Sequence, residues 1–231
     1  TELGESGQAD PADVVHALQL IFDRFDALAD TFKVQKVRKT VNEYYMVAAG
    51  LPDPEVLPNE VERALAMSAL AFSMVTVMDV INTEPVIKEI TELTGVTLSC
   101  QVGIHSGDAI AGVIGKKRFQ YDLCGDAVNT AARMCSYSSP GCITVSPTTL
   151  RLVQGHYGAL YRGEKAVKGK GNMKLFFLTG RLYDGMRELL PKEVKIPQFN
   201  HPAAAAAAAA ATAAAAAFSR TPSGASLPPP V

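Results

Sequence analysis

At 231 residues with a net charge of −1, the chain is long enough to bury one sizeable α/β core and has no electrostatic case for binding nucleic acid. Its four cysteines (Cys100, Cys124, Cys135, Cys142) show no CxxC pair and no zinc spacing. Cys100 and Cys124 fall in apolar runs, so the simplest expectation is packed, reduced thiols in a cytosolic protein, and no run of about 18 apolar residues marks a membrane span.

Residues 1–12 are rich in Gly, Ser, Asp and Glu and read as a loop. The chain starts at Thr1 in that polar loop, so the expectation is a fragment of something longer, with membrane anchors or regulatory domains outside it. From Asp13 the apolar residues Val14, Val15, Leu18, Ile21, Phe22, Phe25 and Leu28 recur at helical spacing, with Asp10 or Asp13 as the cap. Residues 33–40 alternate Val34 and Val37 with basic residues, and residues 44–49 form a second apolar strand after an Asn42-Glu43 turn, which together predict a β-hairpin. A long apolar helix is expected from Asn59 to Ile81, and a shorter one from Glu84 to about Leu93 that Gly95 stops. Strands are predicted over 96–105 and 109–114, with a turn at Ser106-Gly107-Asp108.

Lys116 to Met134, KKRFQYDLCGDAVNTAARM, reads as a basic turn, a short strand, a Gly turn and a helix running to about Ser138. A strand over 142–145 follows. Ser146 then caps a short helix with Pro147 at its first position. Residues 161–167 and 175–178 read as a final strand pair joined by KGKGN. The folded domain is expected over 1–187. Residues 188–231 read as an Ala/Pro-rich low-complexity tail, with nine alanines at 203–211 and five at 213–217; such a tract can be helical yet buries little area.

Several polar groups stand out against this frame. Asn129 and Arg133 are four apart and share a helix face, with Asp122 just before the Gly turn. A carboxylate, an amide and a guanidinium brought together suit a ligand with hydrogen-bonding edges and phosphate charge; the plainer alternative is a capped amphipathic helix whose polar side faces water. Lys36 and Arg38 share a strand face, whereas Lys39 lies on the side of Val37, the apolar one, and needs an acceptor there, either Asp122 or a ligand. Glu43 in the hairpin turn is by itself a solvated carboxylate or a single metal ligand. Two basic loops, Lys116-Lys117-Arg118 after Gly115 and Lys168 and Lys170 alternating with Gly169 and Gly171, could hold an anion, although GxxxxGK[ST] is absent. With no GxSxG elbow, His105 reads as a hydrogen-bonded strand-end histidine rather than a hydrolase base.

The stretches VRKTVNEYYMVAAGLP (37–52), CQVGIHSGDAIAGVIGKKRFQYDLCGDAVNTAARM (100–134), PGCITVS (140–146) and VKGKGNMKLFFLTGR (167–181) resemble, in order and spacing, the catalytic domain of class III nucleotidyl cyclases, over roughly residues 1–181. The resemblance implies an α+β fold, a ferredoxin-like βαββαβ core with a C-terminal αβ extension and a truncated first strand. It implies two such domains paired head to tail, with ATP and two Mg²⁺ (or Mn²⁺) ions at the interface and cyclic AMP and pyrophosphate as products. By the same resemblance Asn129 orients the ribose, Arg133 stabilises the pentavalent α-phosphate, and Lys170 and Lys117 meet the triphosphate. Guanylyl cyclases carry Glu and Cys at the positions of Lys39 and Asp122, whereas mammalian-like adenylyl cyclases carry Lys and Asp. The chemistry agrees, because the adenine N6 amine needs an acceptor (Asp122) and N1 needs a donor (Lys39), and guanine inverts both.

Two departures accompany the match. The family's first strand and its metal aspartate are absent from the chain as it stands, and the usual Gly-Asp of the second metal position is Asn42-Glu43, one methylene longer. Mg²⁺ demands near-ideal octahedral geometry, so the metal half of the site is weakened. Four readings follow: a homodimeric adenylyl cyclase tolerating Glu43, the non-metal half of a heterodimer, a silent nucleotide-binding or dimerisation module, and a guanylyl cyclase. The expected location is the cytoplasmic side of a full-length protein.

Overall fold

The computed structural model describes residues 10–37, 44–114, 120–167 and 169–181. Helix α1 (Pro11–Thr31) begins where the Asp10 carboxylate accepts the Ala12 N–H at 2.9 Å, with Pro11 at its first position. It leads into the antiparallel strands β1 (Gln35–Val37) and β2 (Met46–Ala48). Helix α2 (Glu60–Ile81) is capped by Asn59, which accepts the Glu62 N–H at 2.8 Å. Helix α3 (Pro85–Thr94) ends at Gly95 in the left-handed conformation.

The second half supplies the larger sheet. Strands β3 (Val102–Ile104), β6 (Ile143–Val145), β8 (Gly171–Arg181) and β7 (Tyr157–Val167) lie in that order, β3 parallel to β6 and the others antiparallel. Strands β4 (Ile110–Ile114) and β5 (Gln120–Cys124) form a separate antiparallel pair, followed by helix α4 (Asp126–Ser136). Helix α5 (Pro147–Val153) opens at Ser146, whose hydroxyl accepts the Thr149 N–H. The architecture is α+β, as expected, with its strands in one four-stranded and two two-stranded sheets among the described residues.

Helix α2 carries apolar residues on all sides because both of its flanks are covered. Leu70, Met74 and Ile81 pack with Ala17, Phe25 and Ala29 of α1 and with Ile87 and Ile90 of α3. Leu65, Phe72 and Val75 pack with Ile104, Val145, Val153, Tyr157 and Leu178 on the sheet side, where the Phe72 and Tyr157 rings stack at 5.6 Å. Inside this core the Ser68 hydroxyl donates back to the Ala64 carbonyl at 2.8 Å, so its burial leaves no orphaned donor. Contrary to the expectation of no membrane-length stretch, α2 is long and apolar enough to cross a membrane, with mean hydropathy 1.9. In this fold 72% of that window is buried inside the protein, which accounts for its apolarity.

Three further expectations need correction. The strand predicted over 96–105 is only Val102–Ile104, because β6 offers just three partners; Leu98, Cys100, Val102 and Ile104 still turn inward as their alternation required. The final strand pair is longer than 161–167 and 175–178. Val167 pairs directly with Gly171, so Gly171 and Asn172 of KGKGN belong to β8, while Gly169 and Lys170 form the turn. Cys124 is exposed rather than packed, since it pairs with Ile110 on a hairpin face that none of the described residues covers. Cys100 does pack, and burial pushes its thiol up to about 12.

Helix α4 lies directly on β3. A Cβ at Gly103 would overlap the backbone of Met134 and Cys135. The Cys135 thiol donates to the Gln101 carbonyl at 3.3 Å on the same contact. Gly103→Ala is therefore expected to cost about 2–3 kcal/mol of stability, because helix and strand must separate; urea unfolding measures it, and a loss below about 0.5 kcal/mol would show that the contact yields freely.

Candidate active site

The site is organised along one stripe of α4. Asp126, Asn129 and Arg133 stand at i, i+3 and i+7, so they line one side over about 10 Å at 1.5 Å per residue. The opposite side, Val128, Thr130 and Met134, is buried. Asn129 is exposed and Arg133 half-buried. The helix starts abruptly because Gly125 takes φ 143°, and because a Cβ there would come within 3.3 Å of the Asp108 carbonyl and the Ala109 Cα. A non-glycine residue would push α4 away from the end of β4.

Asp122 sits on β5 opposite Gly112 of β4 and is half-buried. One carboxylate oxygen accepts the Leu123 N–H at 2.8 Å, which holds the group in place while leaving the acceptor capacity of a carboxylate beyond that one bond. Its neighbour Leu123 packs with Val37 of β1 and Val128 of α4. That small cluster brings three segments together: the strand leading to Lys39, the strand bearing Asp122, and the first turn of the helix bearing Asn129 and Arg133. Lys36, on the other side of β1, pairs with Asp26 at 2.7 Å and lies over the rings of Phe22 and Tyr45. The Tyr45 hydroxyl also donates to Asp26 at 2.7 Å, so this side of the hairpin is tied to α1. Lys39, Glu43 and Lys117 lie outside the described residues, as do Arg38, Lys116, Arg118 and Lys168.

Lys170 lies in the tight turn between β7 and β8, where its N–H donates to the Val167 carbonyl at 2.9 Å. Its ammonium reaches the Asp126 carboxylate at 2.5 Å, at the head of the α4 stripe. The Tyr137 hydroxyl, just past the end of α4, donates to the Ala166 carbonyl at 3.0 Å and ties β7 to the helix a second time. Lys170, Asn129 and Arg133 are thus brought to one helix face, with Asp122 on the strand that enters the helix.

His105 stands behind this face. Its Nδ1 meets the Ser146 hydroxyl at 2.7 Å, Ser146 meets Thr149 at 3.3 Å, and Thr149 meets Ser106 at 3.1 Å. Ser146 and Thr149 are fully buried. The histidine is the hydrogen-bonded strand-end residue the sequence implies. Burial, and next the Lys170 ammonium, hold its imidazole below the usual value, with Asp126 opposing. Asp126 lies at the start of α4, just after Gly125. An acidic first-turn residue was legible there, but its pairing with a lysine 44 positions later was not.

Among the described residues no group of three or more His, Cys, Asp or Glu side chains could hold a metal ion. These residues therefore do not fit a metal centre by themselves. The arrangement suits anion binding and charge stabilisation along α4, next to a carboxylate that can accept from a donor edge.

Compared with known proteins, residues 3–180 match the family model described as the adenylate and guanylate cyclase catalytic domain. The chain is 36% identical over 175 residues to human guanylate cyclase soluble subunit beta-2, covering 75% of this chain and 26% of that protein. It is likewise 36% identical over 171 residues to an adenylate cyclase of Mycobacterium tuberculosis, covering 74% and 35%. The chain thus spans about a quarter to a third of the length of these relatives. Among solved structures it resembles the guanylate cyclase domain of RhGC from Catenaria anguillulae in complex with GTP, with TM-score 0.65, 28% identity, and 78% and 91% of the two chains covered.

The histidine gives a pH test. A folded-state value below the unfolded 6.5 means that the neutral form is favoured on folding. Its contribution is present above pH 6.5 and is lost as pH falls below that. Between pH 7 and 5 the wild-type melting temperature is expected to fall further than that of His105→Gln, and parallel curves would remove His105 from the acid sensitivity.

Proposed function

The chain belongs to the adenylate and guanylate cyclase catalytic-domain family, and from that premise we propose that it is an adenylyl cyclase domain converting ATP to 3′,5′-cyclic AMP and pyrophosphate at the interface of two cyclase domains. The family includes enzymes for both bases, so the choice of ATP rests on this chain's own residues. The observation that carries it is Asp122, a half-buried carboxylate anchored on β5 beside the strand that leads to Lys39. Asp122 accepts from the adenine N6 amine and Lys39 donates to N1. Guanine would set acceptor against acceptor and donor against donor. Each such mismatch in a closed pocket costs about 1–3 kcal/mol.

In the proposed reaction the ribose 3′-oxygen attacks the α-phosphorus, its proton leaves, the bond from that phosphorus to the bridging oxygen of the β-phosphate breaks, and pyrophosphate departs. Asn129 orients the ribose by hydrogen bonding. Arg133, one turn further along α4, stabilises the charge on the α-phosphoryl oxygens in the transition state. Lys170, with Lys117 of the second domain, neutralises the β- and γ-phosphates. Mg²⁺ or Mn²⁺ is proposed to enter with the triphosphate and would supply Lewis-acid stabilisation, with Glu43 as this chain's candidate ligand. The exposed Ile110 and Val113 on β4, 78% and 63% accessible, support pairing with a second domain, which would cover them. In the heterodimer version this chain supplies the base and transition-state residues to a partner that holds the metals.

Cyclase assays with ATP and GTP test the reading, on this chain alone and mixed with a cyclase domain that keeps both metal aspartates. Lys39→Glu with Asp122→Cys is expected to move the kcat/KM preference from ATP toward GTP; an unchanged preference would show that these residues do not read the base. Arg133→Ala is expected to lower kcat about 100-fold with little change in KM, the signature of a contact made in the transition state. A large rise in KM with kcat preserved would place Arg133 in substrate binding instead.

A further inference from the structure

Lys170 already has an anion. Its ammonium lies 2.5 Å from the Asp126 carboxylate, and Asp126 shares the α4 stripe with Asn129 and Arg133, one helical turn before the first of them. The two side chains are not equally placed. That of Lys170 is 28% exposed and that of Asp126 is 69% exposed, so the cation is the more sheltered partner and the carboxylate the more readily hydrated one. Asp126 also sits in the first turn of α4, where the N–H groups of a helix start favour negative charge. The positive charge of Lys170 and of the helix start is thus balanced by one exposed carboxylate.

We propose that Asp126 is a displaceable counter-anion for Lys170, standing where the substrate's terminal phosphates bind and yielding the lysine to them. The inference rests on the assignment of Lys170 to the triphosphate given above. A triphosphate approaching the α4 stripe meets Lys170 in an ion pair and Asp126 as a like charge. Binding therefore exchanges one anion for another at the same ammonium. Hydration of the released Asp126 carboxylate keeps the cost of exchange small, because an exposed ion pair is worth little in water. The Tyr137–Ala166 hydrogen bond keeps β7 against the helix during the exchange, so the lysine side chain moves rather than the strand. Asp126 accordingly sets substrate affinity through Lys170. It is a positioning residue, with no contact to the reacting phosphorus.

The test is a double-mutant cycle read by calorimetric binding of inorganic tripolyphosphate to the full chain, which carries no base and so is blind to the ATP-or-GTP question. Asp126→Asn keeps a side chain suited to the first turn of a helix and removes the charge. It is expected to tighten tripolyphosphate binding about five-fold, which is what breaking an exposed pair worth about 1 kcal/mol converts to. In a Lys170→Gln background the gain is expected to shrink below about two-fold. The same variant lowers KM for the nucleotide without raising kcat when assayed with a metal-competent partner. An equal gain in both backgrounds would overturn the proposal, since it would then reflect general charge and not the pair. No gain, or weaker binding, would also overturn it. If Lys170→Gln alone left tripolyphosphate binding unchanged, the assignment of Lys170 to the triphosphate would fail first, and the inference with it.

Discussion

Helix α4 can hold its polar stripe in place only because at Gly103 it rests on β3 with no side chain between them. At Gly103 the helix backbone occupies the space a Cβ would need, and Gly125 lets the chain turn from β5 into the helix against the backbone of Asp108 and Ala109. These two glycines fix the depth and the direction of α4. Val128, Thr130 and Met134 then fill the inward side, and Asp126, Asn129 and Arg133 are left along the other. The helix is short, so an error of a few tenths of an ångström at its base carries through to Arg133. Backbone contact is stiffer than side-chain packing, so the position of Arg133 is tightly defined.

The same logic explains the division of labour in the fold. The central helix α2 is covered on both flanks and belongs to stability. The polar groups gather where coverage ends: at the β7–β8 turn, the start of α4 and the β4–β5 pair. Leu123, Val37 and Val128 form a minor cluster that joins three of these pieces. Its modest size means that the relative placement of β5 and the helix depends on few apolar contacts. A second domain lying against the exposed β4 residues would add to them.

Charge is arranged to match. Lys170 and the helix start both call for an anion, and Asp126 meets both. Lys36 on β1 is held away from this region by Asp26, Phe22 and Tyr45. Burial, and next the Lys170 ammonium, lower the His105 imidazole below its usual value, which disfavours a second positive charge beside Lys170. Among the described residues, Lys170 therefore reaches the head of the α4 stripe, which also carries Arg133, while Lys36 is engaged on the other side of β1.

Sequence by itself determined which local elements form. Periodicity located α1, α2 and α3; Asn59, Ser146 and Gly95 marked helix ends; and the 100–134 block with the 167–181 stretch identified the family. Those features are local, since helical spacing, capping and motif order depend on residues within a few turns of one another. Asp122, Asn129 and Arg133 were legible for the same reason, lying within twelve positions of each other. Only the tertiary structure decided that the predicted 96–105 strand shrinks to three paired residues, that Cys124 lies open, and that Lys170 meets Asp126. Each depends on what a distant segment offers: three partner residues in β6, no cover among the described residues over the Cys124 face of the β4–β5 pair, and a carboxylate 44 positions upstream. Hydrogen-bond ladders and ion pairs form between groups that folding brings together, and spacing along the chain does not encode that distance.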